Sequence, residues 1–126
     1  MEFVARVAKL ATLEAIVLKE LHGDRVDDLP QPSFAANNDV TVGFAVRGKA
    51  LFVTVRFVYR TQPTAINIAA TFNLHYALTD EPAAEEAEAF AHINGVFNAW
   101  PYWRELAQNT ATRMGIAIPP APLLRV

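Results

Sequence analysis

The sequence predicts an α+β fold: an antiparallel sheet with one apolar face, covered by a long C-terminal helix. Three observations carry this. Between residues 40 and 78, three runs alternate apolar and polar residues at every second position, the period of strands with one buried face. Between residues 98 and 114 the apolar residues Trp100, Trp103, Ala107, Ala111 and Met114 recur at steps of three and four, the period of a helix. Both tryptophans of the chain fall at the start of that helix, and such aromatics bury enough area to anchor a core.

Taken in order, residues 1–26 fit two descriptions. Val4, Val7, Ala8 and Ala11, and likewise Leu10, Leu13, Val17 and Leu21, fall at helical spacing. The run Ala15-Ile-Val-Leu-Lys-Glu-Leu21 starts β-branched and reads equally as a strand. Residues 27–39 are a connector, because their prolines and Asx residues favour an irregular course.

Val40, Val42, Phe44 and Val46 then alternate with Thr41, Gly43, Ala45 and Arg47. Gly48 opens a short turn, free to take positive φ. Leu51, Val53, Val55, Phe57 and Tyr59 form the second alternating run, so the two make a hairpin. Ile66, Ile68, Ala70, Phe72, Leu74, Tyr76 and Leu78 form the third. The acidic start Asp80-Glu-Pro-Ala-Ala-Glu-Glu-Ala-Glu88 suits the positive end of a helix, and Asn94-Gly95 reads as a break after it. Asn98 can cap the main helix, Pro101 fits its first turn, and Gly115 followed by Pro119 stops it. The tail, residues 116–126, is apolar and too rich in proline for a helix.

Composition narrows the function. The 126 residues suit one domain, and a net charge of −2 argues against nucleic acid as the main partner. There is no cysteine, so disulfide and thiolate chemistry are excluded. No apolar run approaches the roughly 20 residues of a membrane span, and the N-terminus lacks the shape of a signal peptide, so a cytoplasmic protein without membrane insertion is expected. His22, His75 and His92 lack metal-ligand spacing. No glycine-rich phosphate loop or nucleophile elbow is present. The carboxylate clusters Asp27-Asp28 and Glu85-Glu86-Glu88 read as a solvated loop and a helix start. The residues therefore point to no catalytic group, metal or cofactor, and to a binding or structural protein. With 52% hydrophobic and 19% charged residues, apolar surface is left over for partners.

One stretch is more specific. Trp100-Pro-Tyr-Trp-Arg-Glu105, followed by a helical run, Gly115 and a proline-rich apolar segment, resembles the helix signature of SecB-type export chaperones, where an aromatic-Pro-Tyr-x-Arg-Glu motif opens the main helix. The stop Arg113-Met-Gly-Ile-Ala-Ile-Pro-Pro120 is similar to theirs, and Ile16-Val-Leu-Lys-Glu-Leu-His-Gly-Asp24 resembles their first strand. The resemblance implies a four-stranded antiparallel sheet with strands at about 14–25, 39–47, 50–61 and 65–78, helices at about 83–94 and 98–114, and a short helix within 2–11.

It also implies an ATP-independent holdase, built as a dimer of dimers, that binds non-native polypeptide in apolar grooves. Residues Phe34, Phe44, Val55, Phe57, Phe72, Leu74, Tyr76, Phe97, Trp100, Leu123 and Leu124 are the groove candidates. Ile16, Leu18 and Tyr102 are candidates for the subunit interface. Glu20 and Asp24 match acids that contact the SecA motor. The sequence ends at Val126 without the family's second helix or acidic tail. That turns the expectation from dedicated export towards protection of an aggregation-prone antitoxin. Two alternatives stay open: a small α+β ligand-binding or enzyme fold, which would need convergent polar groups on an inner face that reads almost purely apolar, and a small oligomerisation or assembly module without chaperone activity.

Overall fold

The computed structural model describes residues 7, 9–25, 35–62 and 66–115. Four strands, β1 (Ala11–Arg25), β2 (Ala35–Arg47), β3 (Ala50–Gln62) and β4 (Ile66–Leu78), form one sheet in the order β1-β4-β3-β2. Every neighbouring pair is antiparallel. Of the segment expected to hold a short N-terminal helix, Val7, Lys9 and Leu10 are helical, and Val7 is fully buried in the core.

β1 explains why residues 1–26 read two ways. Its pairing with β4 shifts register between Leu13 and Ala15 and again between Leu18 and Glu20. Each β-bulge inserts one residue and moves the alternation on by one. The residues opposite the core positions Tyr76, Leu74, Phe72 and Ala70 are therefore Leu13, Ile16, Leu18 and Leu21. Spacings of three, two and three mimic a helical stripe, although the backbone is extended throughout.

After β4 the chain makes a single helical rod: α1 (Ala84–Phe90), a π-helical turn (Ala91–Gly95) and α2 (Val96–Arg113). Glu86 stabilises its start by accepting a hydrogen bond from the Ala83 N–H at 2.9 Å. The break expected at Asn94-Gly95 does not occur, since Gly95 has ordinary right-handed angles of φ −60° and ψ −48°. Asn98 does not cap the helix and Pro101 does not lie in a first turn; both sit within the rod. Pro101 costs it one hydrogen bond to the Phe97 carbonyl. Gly115, at φ 74°, follows the last helical turn.

The reason for the glycine is contact. A Cβ on Gly95 would lie 2.8 Å from Val53 Cγ1, so the rod touches β3 where only a hydrogen fits. Ala87, Ala91, Gly95, Ala99, Trp103, Ala107 and Ala111 recur at steps of four, and all are buried. A step-of-four stripe drifts by about 40° per turn on a straight α-helix. The wider i→i+5 turn at residues 91–95 takes up part of that drift and keeps the small residues facing the sheet.

The core lies between this rod and the inner faces of β3 and β4. Trp103 stacks on Phe57 with ring centroids 5.3 Å apart, and Trp100 meets the same ring edge-on at 5.8 Å. Phe90 meets Tyr76 edge-on at 4.9 Å. At the far end Arg25 of β1 donates a hydrogen bond to the Met114 carbonyl and ties the end of α2 to the sheet.

Candidate functional site

The structure divides the expected groove residues into three groups. Val55, Phe57, Phe72, Leu74, Tyr76 and Trp100 are all buried beneath or within the helical rod. In the single chain they form the core, because the rod lies directly on β3 and β4. Phe44 and Phe97 are exposed, at 36% and 42%. They fall on different elements. Phe44 is on β2, on the helix-facing side, since it pairs with buried Val53. Phe97 is two residues beyond Gly95, about 200° around the helix, so it faces away from the sheet. Phe34, Leu123 and Leu124 lie outside the described residues.

Of the interface candidates, Leu18 and Tyr102 are exposed, and Ile16 is half-buried against the core. Leu18 shares the helix-facing side of β1 with Leu13 and Leu21, both also exposed. Glu20 and Asp24 are exposed on the opposite face of the sheet. Asp24 accepts a hydrogen bond from His22 at 2.8 Å if that ring nitrogen is protonated.

Sequence reasoning missed Val40. It is four residues from Phe44 on the same side of β2 and equally exposed. Its signal lay in the strand order rather than in residue type. β2 is an edge strand, so one side of its backbone has no ladder partner within the sheet.

The inner face carries one polar contact that matters for packing. Tyr76 donates its hydroxyl hydrogen to Asn98 Oδ1 at 2.7 Å. Burial pushes the Tyr76 hydroxyl well above its ordinary titration range, and that of Tyr59 upward as well, because the anion would lose its water. The outer side of α2 has an open depression lined by Pro101, Arg104, Glu105 and Gln108. No described helix is long and apolar enough to cross a membrane.

The strand order and the single crossing rod define a SecB-like fold. A SecB-like chaperone of Mycobacterium tuberculosis, solved in complex with a peptide from the HigA1 antitoxin, superposes with a TM-score of 0.86 over 98% of this chain and 94% of that one, at 20% identity. A protein of unknown function from Streptococcus agalactiae is more distant, with a TM-score of 0.54 over 92% of this chain and 97% of that one, at 14% identity. No protein-family model matches the chain, and no curated protein matches it in sequence.

Proposed function

We propose that this chain is an ATP-independent holdase that works as a homo-oligomer and keeps aggregation-prone polypeptide, such as an antitoxin, from associating. The observation that carries the reading is the flank of β2. There Val40 and Phe44 stand exposed beside a backbone edge with no partner in the sheet. An extended client segment added to that edge would hydrogen-bond through its backbone, whatever its sequence, and lay alternate side chains on Val40 and Phe44. Nothing in this mode of binding consumes nucleotide. The likeness in fold to a chaperone solved with an antitoxin peptide supports the same reading.

Light scattering of a chemically denatured client tests it. The parent protein at near-stoichiometric ratio delays aggregation, and Val40→Asp with Phe44→Asp abolishes the delay while far-UV circular dichroism is unchanged. An undiminished delay in the double variant would remove β2 from the account. No delay with the parent would remove the holdase. The second reading, an oligomerisation module without chaperone activity, draws on β1, whose Leu13, Leu18 and Leu21 are exposed along the opposite edge. It is the reading left standing if the native mass exceeds a monomer and scattering is not delayed.

A further inference from the structure

Backbone and side chains are coupled along the unpartnered edge of β2. Arg47 and Ala50 face each other across the short turn Gly48-Lys49. So close to the turn they pair only by exchanging both backbone hydrogen bonds. The register of β2 on β3 then runs without a bulge from Arg47 back to Ala35, and the alternation of an antiparallel ladder fixes the rest. Arg47, Ala45, Gly43, Thr41 and Asp39 turn their N–H and C=O groups to β3. Val46, Phe44, Val42 and Val40 turn theirs to the open edge. The side chains of these four also face the helix, because they pair with buried Leu51, Val53, Val55 and Phe57. A strand added at this edge therefore bonds to Val40, Val42 and Phe44 and sets the residues opposite them on the helix-facing side. Its intervening residues lie beside Thr41 and Gly43 and point the other way.

On that other face β2 and β3 are unbalanced in charge. They carry exposed Arg47, Arg56 and Arg60 against one acid, Asp39. Among the described residues no carboxylate pairs with these arginines. Asp39 lies opposite Val58, diagonal to Arg56 and Arg60, and forms no ion pair with either. Arg56 is directly opposite Thr41, so an added strand would lie two strand spacings from it, about 10 Å, with only a threonine side chain between. Gly43 is the next such position along the edge. It is exposed, its φ is not positive, and a Cβ there would meet nothing within 4 Å. Neither backbone nor packing calls for a glycine, and a glycine inside a strand often marks where another backbone comes close.

We propose that the β2 edge selects, among extended segments, one that alternates apolar residues with acidic ones. This deepens the holdase reading and rests on it. The apolar residues opposite Val40 and Phe44 cover the two exposed side chains of the strand. The one between them, opposite half-buried Val42, gains less, because the chain's own core already covers that valine in part. The acids fall beside Thr41 and Gly43, on the side of Arg56 and Arg60, and supply the counter-charge those arginines lack. Backbone hydrogen bonds hold any sequence, and the charges rank one sequence above another. The chain as a whole carries a net charge of −2, so bulk attraction favours a basic segment. A preference for an acidic one is therefore a signature of the local arginines.

Fluorescence anisotropy with short labelled peptides is the test, with circular dichroism checking that each variant is folded. Two peptides alternate valine and phenylalanine with a charged residue, glutamate in one and lysine in the other. The glutamate peptide binds the parent protein at least about fivefold more tightly at low salt, and the gap narrows at high salt. A third peptide, with the glutamate peptide's composition but its apolar residues grouped at one end, binds at least about fivefold more weakly than the alternating one. Arg56→Glu/Arg60→Glu reverses the order of glutamate and lysine. Should that variant fail to fold, Arg56→Gln narrows the gap at least about twofold. Equal or tighter binding of the lysine peptide by the parent overturns the proposal, as does an unchanged order in the folded double variant or an unchanged gap in Arg56→Gln. Failure of both alternating peptides to bind overturns it too. A parent that still delays client scattering would then keep the holdase reading without this selectivity, and one that does not would lose both.

Discussion

Gly95→Ala measures how closely the helical rod lies on the sheet. In a helix interior, replacing glycine by alanine stabilises by about 1 kcal/mol where space allows. Here the new methyl would sit 2.8 Å from Val53 Cγ1. Val53 is β-branched, almost fully buried and held in a strand between paired neighbours, so it has no free rotation with which to yield. Overpacking of this kind costs about 1–3 kcal/mol, and the net expectation is destabilisation by roughly 1 kcal/mol. Val53→Ala alone costs about 2 kcal/mol or more through lost burial and the cavity left behind. In that background the clash is gone, and Gly95→Ala becomes stabilising by about 1 kcal/mol. The assay is urea unfolding of the four proteins, read as midpoint shifts at unchanged slope. The sign reversal between the two backgrounds is the diagnostic. If Gly95→Ala stabilises the parent protein, the rod is not in contact at this point and the packing argument fails.

Three further outcomes follow from particular contacts. Tyr76→Phe removes the hydrogen bond to Asn98 and costs about 1 kcal/mol by urea unfolding; a neutral result would mean that water serves Asn98 equally well. The raised Tyr76 hydroxyl also sets a pH dependence. The folded state keeps that proton above pH 10, where the unfolded chain releases it, so stability present below pH 10 falls as pH rises beyond it, and Tyr76→Phe makes the fall shallower. Arg25→Ala frees the Met114 carbonyl, so amide hydrogen exchange quickens in the last turn of α2 with little change near Gly95; uniform exchange along the rod would contradict a local clasp.

Period-2 alternation made β2, β3 and β4 legible, because each places large apolar residues on the helix-facing side of the sheet at every second position. β1 was illegible from periodicity because its two bulges convert a strand's spacing into a helix's, and it was resolved only through the resemblance of Ile16–Asp24. The continuity of the rod was present in the sequence and passed over. The step-of-four run Ala87, Ala91, Gly95, Ala99 crosses the expected break without interruption, and a glycine within such a run marks close approach more than an ending. The candidate site was legible only in part. Aromatic residues on an alternating face are read the same way whether a helix covers them or not. Phe57 and Phe44 both look like inner-face residues, and only the position of β2 at the sheet edge separates them.

That separation has a geometric cause. A four-stranded sheet is about 19 Å wide, and a helix with its side chains is about 10–12 Å wide. One rod therefore covers two strands. Lying over β3 and β4, it buries the inner faces of both and leaves those of the two outer strands part bare, as the exposure of Leu13, Leu18 and Leu21 on β1 and of Val40 and Phe44 on β2 requires. These strands are also the ones with unpaired backbone edges. Apolar side chains and open hydrogen-bonding groups thus coincide along both margins. A chain that kept such margins to itself would need either a second covering element or charged edges that resist pairing. The inner side of β2 places valine and phenylalanine at its exposed positions instead. The surface that a single helix cannot roof is thereby the surface suited to another extended backbone.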